Sequence, residues 1–239
     1  MREELRQLCK QMRLGHVMNI YEQIPFEQPT QFLHAVLSAE RSSREQGKIR
    51  RLLQKARFTQ IKTFEGYSFE SVTLPDSVTI EELKRASFVE RKENIILLGA
   101  VGTGKTHLAT AIGVEACKQG KKVRFYRVAE LVSTLQTKFH AGNLPRFRRE
   151  LMDADVLILD ELGFVPFHKD GADLLFHLIS ECYERISVIV TSNLEFSQWN
   201  TVFGDNRLTA ALIDRLVHHA HIIAFTGESY RLRHALSNR

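Results

Sequence analysis

Gly99, Gly104, Lys105 and Thr106 fall at the spacing G-x-x-x-x-G-K-[ST] inside "NIILLGAVGTGKTHLATAIG", residues 94–113. An apolar run precedes them and a helical pattern follows, which is the strand–turn–helix setting this spacing needs. Glycines let successive backbone N–H groups turn inward as an anion nest, and a helix beginning near Lys105 adds its positive N-terminal end at the same point. The chemistry is capture of nucleotide phosphates. Gly99, Gly102, Thr103, Gly104, Lys105, Thr106 and His107 make up the expected binding set, with the Lys105 ammonium the mobile cation for the β- and γ-phosphates.

A second constellation lies at "VLILDE", residues 156–161, an apolar run ending in two carboxylates. In an open parallel sheet the carboxyl ends of the strands face the ligand crevice, which brings Asp160 and Glu161 toward the glycine loop. Asp160 and the Thr106 hydroxyl are then the expected holders of Mg2+. Glu161 remains to orient and deprotonate an attacking water. Asp160 and Gly163 also spell D-x-x-G, as in GTP-binding switches, but no N-K-x-D guanine-reading motif follows. A small-molecule kinase would use the same loop, yet consecutive acids suit water as the nucleophile, so ATP hydrolysis leads. "IVTSN" puts Asn193 at the end of the next strand, where an amide could hold that water or sense the γ-phosphate.

Two arginines are candidates for stabilising charge on the transferring phosphoryl group, Arg215 across a subunit interface and Arg231 within its own subunit, with Arg207 the alternative to Arg215. His218, His219 and His221 suggest a metal, but no nearby Cys or suitably spaced acid completes a tetrahedral set. Packing at a helix end is the expectation for them, and a place in the core is the expectation for Trp199.

The elements that position these residues are readable from periodicity. Strand-length apolar runs occur at 94–98, 122–126, 155–159, 187–191 and 221–225, with helical patterns near 105–118, 128–140, 146–152, 171–185 and 207–219 between them. The alternation predicts an α/β fold, a five-stranded parallel sheet flanked by helices. A small N-terminal helical domain is expected at 1–60, a linker and entry to the core at 61–92, and the nucleotide domain at 93–239.

The 239 residues suffice for one α/β domain and a smaller appendage. Three scattered cysteines give neither a disulfide framework nor zinc spacing, and no run approaches a membrane span, so a cytoplasmic protein with no membrane partner is expected. The net charge is +5, and residues 1–60 hold eleven Lys/Arg against six Glu, while the remainder balances. A basic segment on a neutral domain is the footprint of a nucleic-acid partner. Lys48, Arg50, Arg51 and Lys55 form its densest part.

Together the loop, "LILDE", "TSN", "IDRLVHHAH" and "GESYRLR" resemble the IstB-type transposition helper ATPases of insertion sequences, in the AAA+ initiator group that includes the DnaC-type helicase loaders. The resemblance covers nearly the whole chain. It implies an AAA+ P-loop ATPase core that binds ATP and Mg2+, forms a homo-oligomer on double-stranded DNA and activates a partner transposase of the IstA type. A DnaC-like helicase loader is the alternative, with a nucleotide-gated binding module and a small-molecule kinase as readings from other classes. Ala100 and Val101 replace residues common in relatives, at variable positions. With only a short tail after the fifth strand, the resemblance implies a lidless core in which Arg231 would sense nucleotide from that tail. The resemblance also implies a pore-facing helical insertion, occupied here by "LVSTLQTKFHAGNLPRFRREL", whose Lys138, Phe139, Arg146, Arg148 and Arg149 offer charge and a stacking face to DNA.

Overall fold

A computed structural model describes residues 1–230, so Arg231 lies outside the described residues. In chain order the elements are α1 (Arg2–Gln11), α2 (Val17–Ile20), α3 (Pro29–Ala56), β1 (Val72–Thr73), α4 (Ile80–Lys84), β2 (Asn94–Gly99), α5 (Lys105–Lys118), β3 (Val123–Arg127), α6 (Val128–His140), α7 (Leu144–Met152), β4 (Val156–Leu162), α8 (Lys169–Cys182), β5 (Ser187–Ser192), α9 (Asn200–Phe203), α10 (Asn206–Val217) and β6 (Ala220–Phe225). The chain divides into two compact units, Met1–Arg51 and Leu52–Arg239. Among the described residues no helix is long and apolar enough to cross a membrane.

The first unit is helical. Cys9, Val17 and Val36 form its core, with Leu5, Leu14, Met18, Tyr21, Ile24 and Phe32 packed around them. Its polar organiser is Glu40, only 3% exposed. One carboxylate oxygen accepts the N–H groups of His16 and Val17 at 2.8 and 3.1 Å, capping the start of α2. The other accepts from Arg44 Nε at 2.7 Å, and Arg44 also donates to the Arg13 carbonyl. A buried charge is tolerated because every partner is a hydrogen-bond donor.

The second unit is an α/β sandwich on one sheet of order β1-β6-β2-β5-β4-β3. Strands β2 to β6 pair in parallel, and β1 alone pairs antiparallel, to β6. The sheet thus has six strands rather than the five the sequence predicts. The added one is a two-residue edge strand, too short to show an alternating pattern. Alternate residues go to opposite faces, as the period of a strand requires. Ile96, Leu157, Leu159, Val188 and Val190 pack with α6, α8 and α10, whereas Ile95, Leu97, Val156, Ile158 and Ile189 pack against α5. Both faces being covered, the strands are continuous apolar runs, which is what makes them visible in the sequence. Trp199 is fully buried in the first of these layers.

Residues 58–76, which run into the linker expected at 61–92, are packed in place. Phe58 meets Phe125 at 6.0 Å between ring centroids, Tyr67 meets Phe69 at 5.0 Å, and the Thr226 N–H donates to the Ser71 carbonyl at 3.1 Å. Further on, Leu83, Phe88 and Val89 enter the core.

Candidate functional site

The carboxyl ends of β2, β4 and β5 converge on the loop 100–104 between β2 and α5. Gly99 closes β2 at φ +147, paired in register with Phe225, and a Cβ there would fall 2.4 Å from the Phe225 carbonyl oxygen. No side chain fits, so the spacing's first glycine is fixed by its neighbour strand. Gly104 is the N-cap of α5 at φ +101, a conformation that L side chains adopt at a cost. The loop therefore delivers its N–H groups and the α5 N-terminus to one place. Lys105 Nζ donates to the carbonyls of Gly99 and Ala100 at 2.7 and 2.6 Å, folding the ammonium over the loop, and Thr103 Oγ1 donates to the Ala100 carbonyl at 2.8 Å. The Gly102 carbonyl accepts the Tyr230 N–H at 3.0 Å, which ties the end of the described chain to the same loop.

Beneath it lies Asp160, 1% exposed. Its Oδ1 accepts hydroxyls from Thr106 at 2.8 Å and from Thr191 at 2.6 Å. Thr191 also accepts the Glu161 N–H at 2.9 Å. This second role depends on a bulge: the β4–β5 register shifts between Leu159 and Leu162, and Glu161 takes a left-handed φ of +62°. The irregularity turns two successive acids to different tasks, Asp160 inward and Glu161 into solvent. Glu161 faces Arg127 at 3.7 Å, a half-exposed pair. Thr191 was missed by sequence reasoning because a threonine in "VIVTS" looks like strand filling.

The structure thus brings together Gly99, Gly102, Thr103, Gly104, Lys105, Thr106, Asp160 and Glu161. Asn193, just beyond β5, is half-buried at the same end of the sheet. His107 points to the segment before the core, its Nε2 at 2.9 Å from the Thr63 carbonyl and its ring 4.9 Å from Tyr67. Burial pushes the Tyr67 hydroxyl well above its usual range, so it stays a neutral donor beside Gly104. The donor set suits a hard divalent cation with phosphate: a hydroxyl and a buried carboxylate in contact, with a lysine ammonium close in sequence.

Arg215 is engaged inside its own chain, donating to Ser180 Oγ with its guanidinium 4.8 Å above the Phe176 ring. Arg207 is exposed on the first turn of α10. Lys138 and Phe139 end α6, and Phe139 is 58% exposed rather than part of the core. Nearby on α7, Arg146 and Arg149 are exposed while Arg148 pairs with Glu181. Lys48, Arg50 and Arg51 are exposed in the first unit, and Lys55 is exposed on the last turn of α3 in the second. The histidines separate: His221 is buried between Ser77 Oγ at 2.9 Å and Glu93 at 3.0 Å, whereas His218 and His219 are exposed with Glu184 beside them. Glu184 comes from the turn before β5, too far away in sequence to be paired with the histidines by spacing.

Comparison with known proteins agrees with this geometry. The chain is 39% identical over 236 residues to a Pseudomonas aeruginosa protein named as an ATP-binding protein of insertion sequence IS21, covering 96% of this chain and 89% of that one. It is 38% identical over 204 residues to the corresponding protein of IS5376 from Geobacillus stearothermophilus, covering 85% and 81%. Among solved structures, the DnaC helicase loader superposes with a TM-score of 0.54 at 19% identity, over 71% of this chain and 98% of that one. The replication initiator DnaA bound to AMPPCP and single-stranded DNA gives 0.56 at 21%, over 76% and 56%. These two likenesses show that the chain shares its fold with those proteins. The family described as IstB-like ATP binding protein matches residues 12–238, and the chain belongs to that family.

Proposed function

We propose that the protein is a Mg2+-dependent ATPase that assembles on double-stranded DNA and regulates a partner transposase in insertion-sequence transposition. The observation that carries the enzymatic part is the Thr106–Asp160–Thr191 hydroxyl–carboxylate chain beneath a positive-φ loop, with Glu161 turned out beside it. Membership of the family and the insertion-sequence names of its relatives support the rest.

In this reading the loop N–H groups and the α5 N-terminus bind the phosphates, and Lys105 exchanges the Gly99 and Ala100 carbonyls for β- and γ-phosphate oxygens. Thr106 and Asp160 would hold Mg2+, which would supply positive charge beside the phosphates. Glu161 orients a water and takes its proton on the carboxylate as the water oxygen bonds to the γ-phosphorus. The bond from that phosphorus to the bridging oxygen breaks, and ADP leaves. Asn193 positions the same water or the γ-phosphate. Arg231 is assigned to the phosphates of its own subunit, and Arg215 or Arg207 to those of a neighbouring one. Arg207 is favoured by its exposure, because Arg215 would first have to leave Phe176 and Ser180. Lys48, Arg50, Arg51, Lys55, Lys138 and Phe139 are assigned to DNA.

The test is ATP turnover with and without Mg2+ and duplex DNA, alongside a sizing measurement of the assembly and addition of an IstA-type transposase. DNA-stimulated turnover by an enlarged assembly is the expected result. Turnover indifferent to DNA in a monomer would overturn the regulatory reading, and absence of turnover would leave a nucleotide-gated binder.

A further inference from the structure

A second group of chemistry-bearing side chains lies at the opposite end of the sheet, where β5 and β6 begin. Glu184, His218 and His219 each present a ligand atom there, all within 4.8 Å of one another. His219 Nε2 stands 3.5 Å from Glu184 Oε1, and the two imidazole centroids are 4.1 Å apart. Tetrahedral zinc with N and O ligands at about 2.0–2.1 Å needs donors about 3.4 Å apart, so one edge already has that spacing and rotation of exposed side chains closes the others.

Three further features set this group apart from a chance surface cluster. First, His218 Nδ1 is 2.7 Å from the Tyr183 hydroxyl. A polar partner on one ring nitrogen fixes ring orientation and directs the other nitrogen outward, the arrangement typical of metal-bound histidine. Second, the backbones carrying the ligands are stapled together. Buried Asn94 donates from Nδ2 to the Leu216 carbonyl at 3.0 Å and accepts the Val188 N–H on Oδ1 at 2.9 Å, while its own N–H donates to the His219 carbonyl at 2.7 Å. One side chain thus joins the end of α10 to the start of β5. Third, His218 is the C-cap of the twelve-residue α10, whose terminal carbonyls favour a cation.

We propose that Glu184, His218 and His219 form a binding site for one divalent transition-metal ion of the zinc class. Two imidazoles and a carboxylate select such ions over Mg2+ and Ca2+, which prefer all-oxygen sets. Three protein ligands leave the fourth position for water. The ion would brace the junction of α8–β5 with α10–β6, away from the nucleotide.

The probe is Zn2+, titrated into full-length, tag-free protein against a chromogenic chelator, with excess Mg2+ and no nucleotide. One tight equivalent per chain is expected. His219→Ala should abolish it, and Glu184→Gln should weaken it at least about tenfold. Tyr183→Phe, which touches no ion, should weaken it about 10- to 100-fold. His140→Ala, exposed at the end of α6, should leave it unchanged. Co2+ should give the visible bands of a four-coordinate site in the wild type and lose them in His219→Ala. Equal Zn2+ affinity in the wild type and in both ligand variants overturns the proposal, as does failure of the wild type to bind. Far-UV circular dichroism of the metal-free proteins separates lost ligation from lost folding, and Glu184→Gln, a change at an exposed turn, serves if His219→Ala misfolds.

Discussion

Asp160 and Glu161 are adjacent in sequence and opposite in circumstance, and the residue that separates them is Thr191. Its hydroxyl donates to Asp160 Oδ1 at 2.6 Å and receives the Glu161 N–H at 2.9 Å, so one group sets both the carboxylate beneath the loop and the bulge that exposes the next acid. Thr191→Val keeps shape and removes both bonds. It should lower kcat about 10- to 100-fold, as removing a partner of a metal-holding group commonly does, and raise the Mg2+ concentration needed for half-maximal turnover. Thr191→Ser should restore both. Glu161→Gln should instead leave ATP affinity and Mg2+ dependence alone and cut turnover by about 10² to 10⁴, the usual contribution of a general base. Steady-state kinetics across a Mg2+ series tell the two apart, and near-wild-type turnover in Glu161→Gln would move the base elsewhere. The glycine-loop spacing and the paired acids were legible because residue type alone encodes them. Thr191 was not, since its role appears only when β4 and β5 are aligned.

Among elements, α10 meets α8 through Arg215, whose guanidinium covers Phe176 and bonds Ser180. Such a cation–π interaction stabilises by about 0.5–1 kcal/mol and the hydrogen bond by about 1 kcal/mol more. Arg215→Ala should therefore lower the denaturant midpoint, whereas Arg207→Ala, on the exposed first turn, should not. Equal midpoints would mean that Arg215 is not held in this way. In the first unit, Glu40 organises α2. Burial pushes its carboxyl up, but the bonds from Arg44 and the His16 N–H outweigh that and hold it below the usual range. A depressed folded pKa contributes stability that is present above the unfolded value and lost as pH falls through the folded one. The protection of the His16 and Val17 amides, measured against their intrinsic exchange rates, should accordingly fall on acidification below about pH 4.5, near the ordinary carboxyl value. In Glu40→Gln these amides should be weakly protected already at neutral pH, with little further loss of protection in acid. Helices α5 and α6 run over the residues that periodicity predicts, because their apolar faces are continuous. Strand β1 and the bulge in β4 escape periodicity, the one through shortness and the other because an inserted residue breaks the period it would be read by.

At the scale of the molecule, the charge is unevenly spread along the chain. All the formal excess lies in residues 1–60, with eleven cations against six acids. That asymmetry is legible from composition, whereas the meeting of Glu184 with two histidines 34 and 35 residues further on needs the fold. Under the proposed function Arg50, Arg51 and Lys55, all exposed, bind DNA phosphates. Such binding is blind to sequence and releases condensed counterions, so neutralising the three together should weaken every duplex alike. The log–log salt dependence should flatten by up to about 0.9 for each phosphate no longer neutralised. Nucleotide affinity should not move, since the phosphate loop is built from β2 and α5 and none of the three residues belongs to it. Helix α3 has another use open to it, as a docking surface for the transposase. The same triple variant separates the two, with binding measured by fluorescence anisotropy across a salt series and transposase stimulation assayed in parallel. Reduced affinity with a flattened slope assigns the segment to DNA. Unchanged affinity and slope with abolished stimulation assigns it to the partner, and DNA binding then falls to Lys138 and Phe139 at the exposed end of α6.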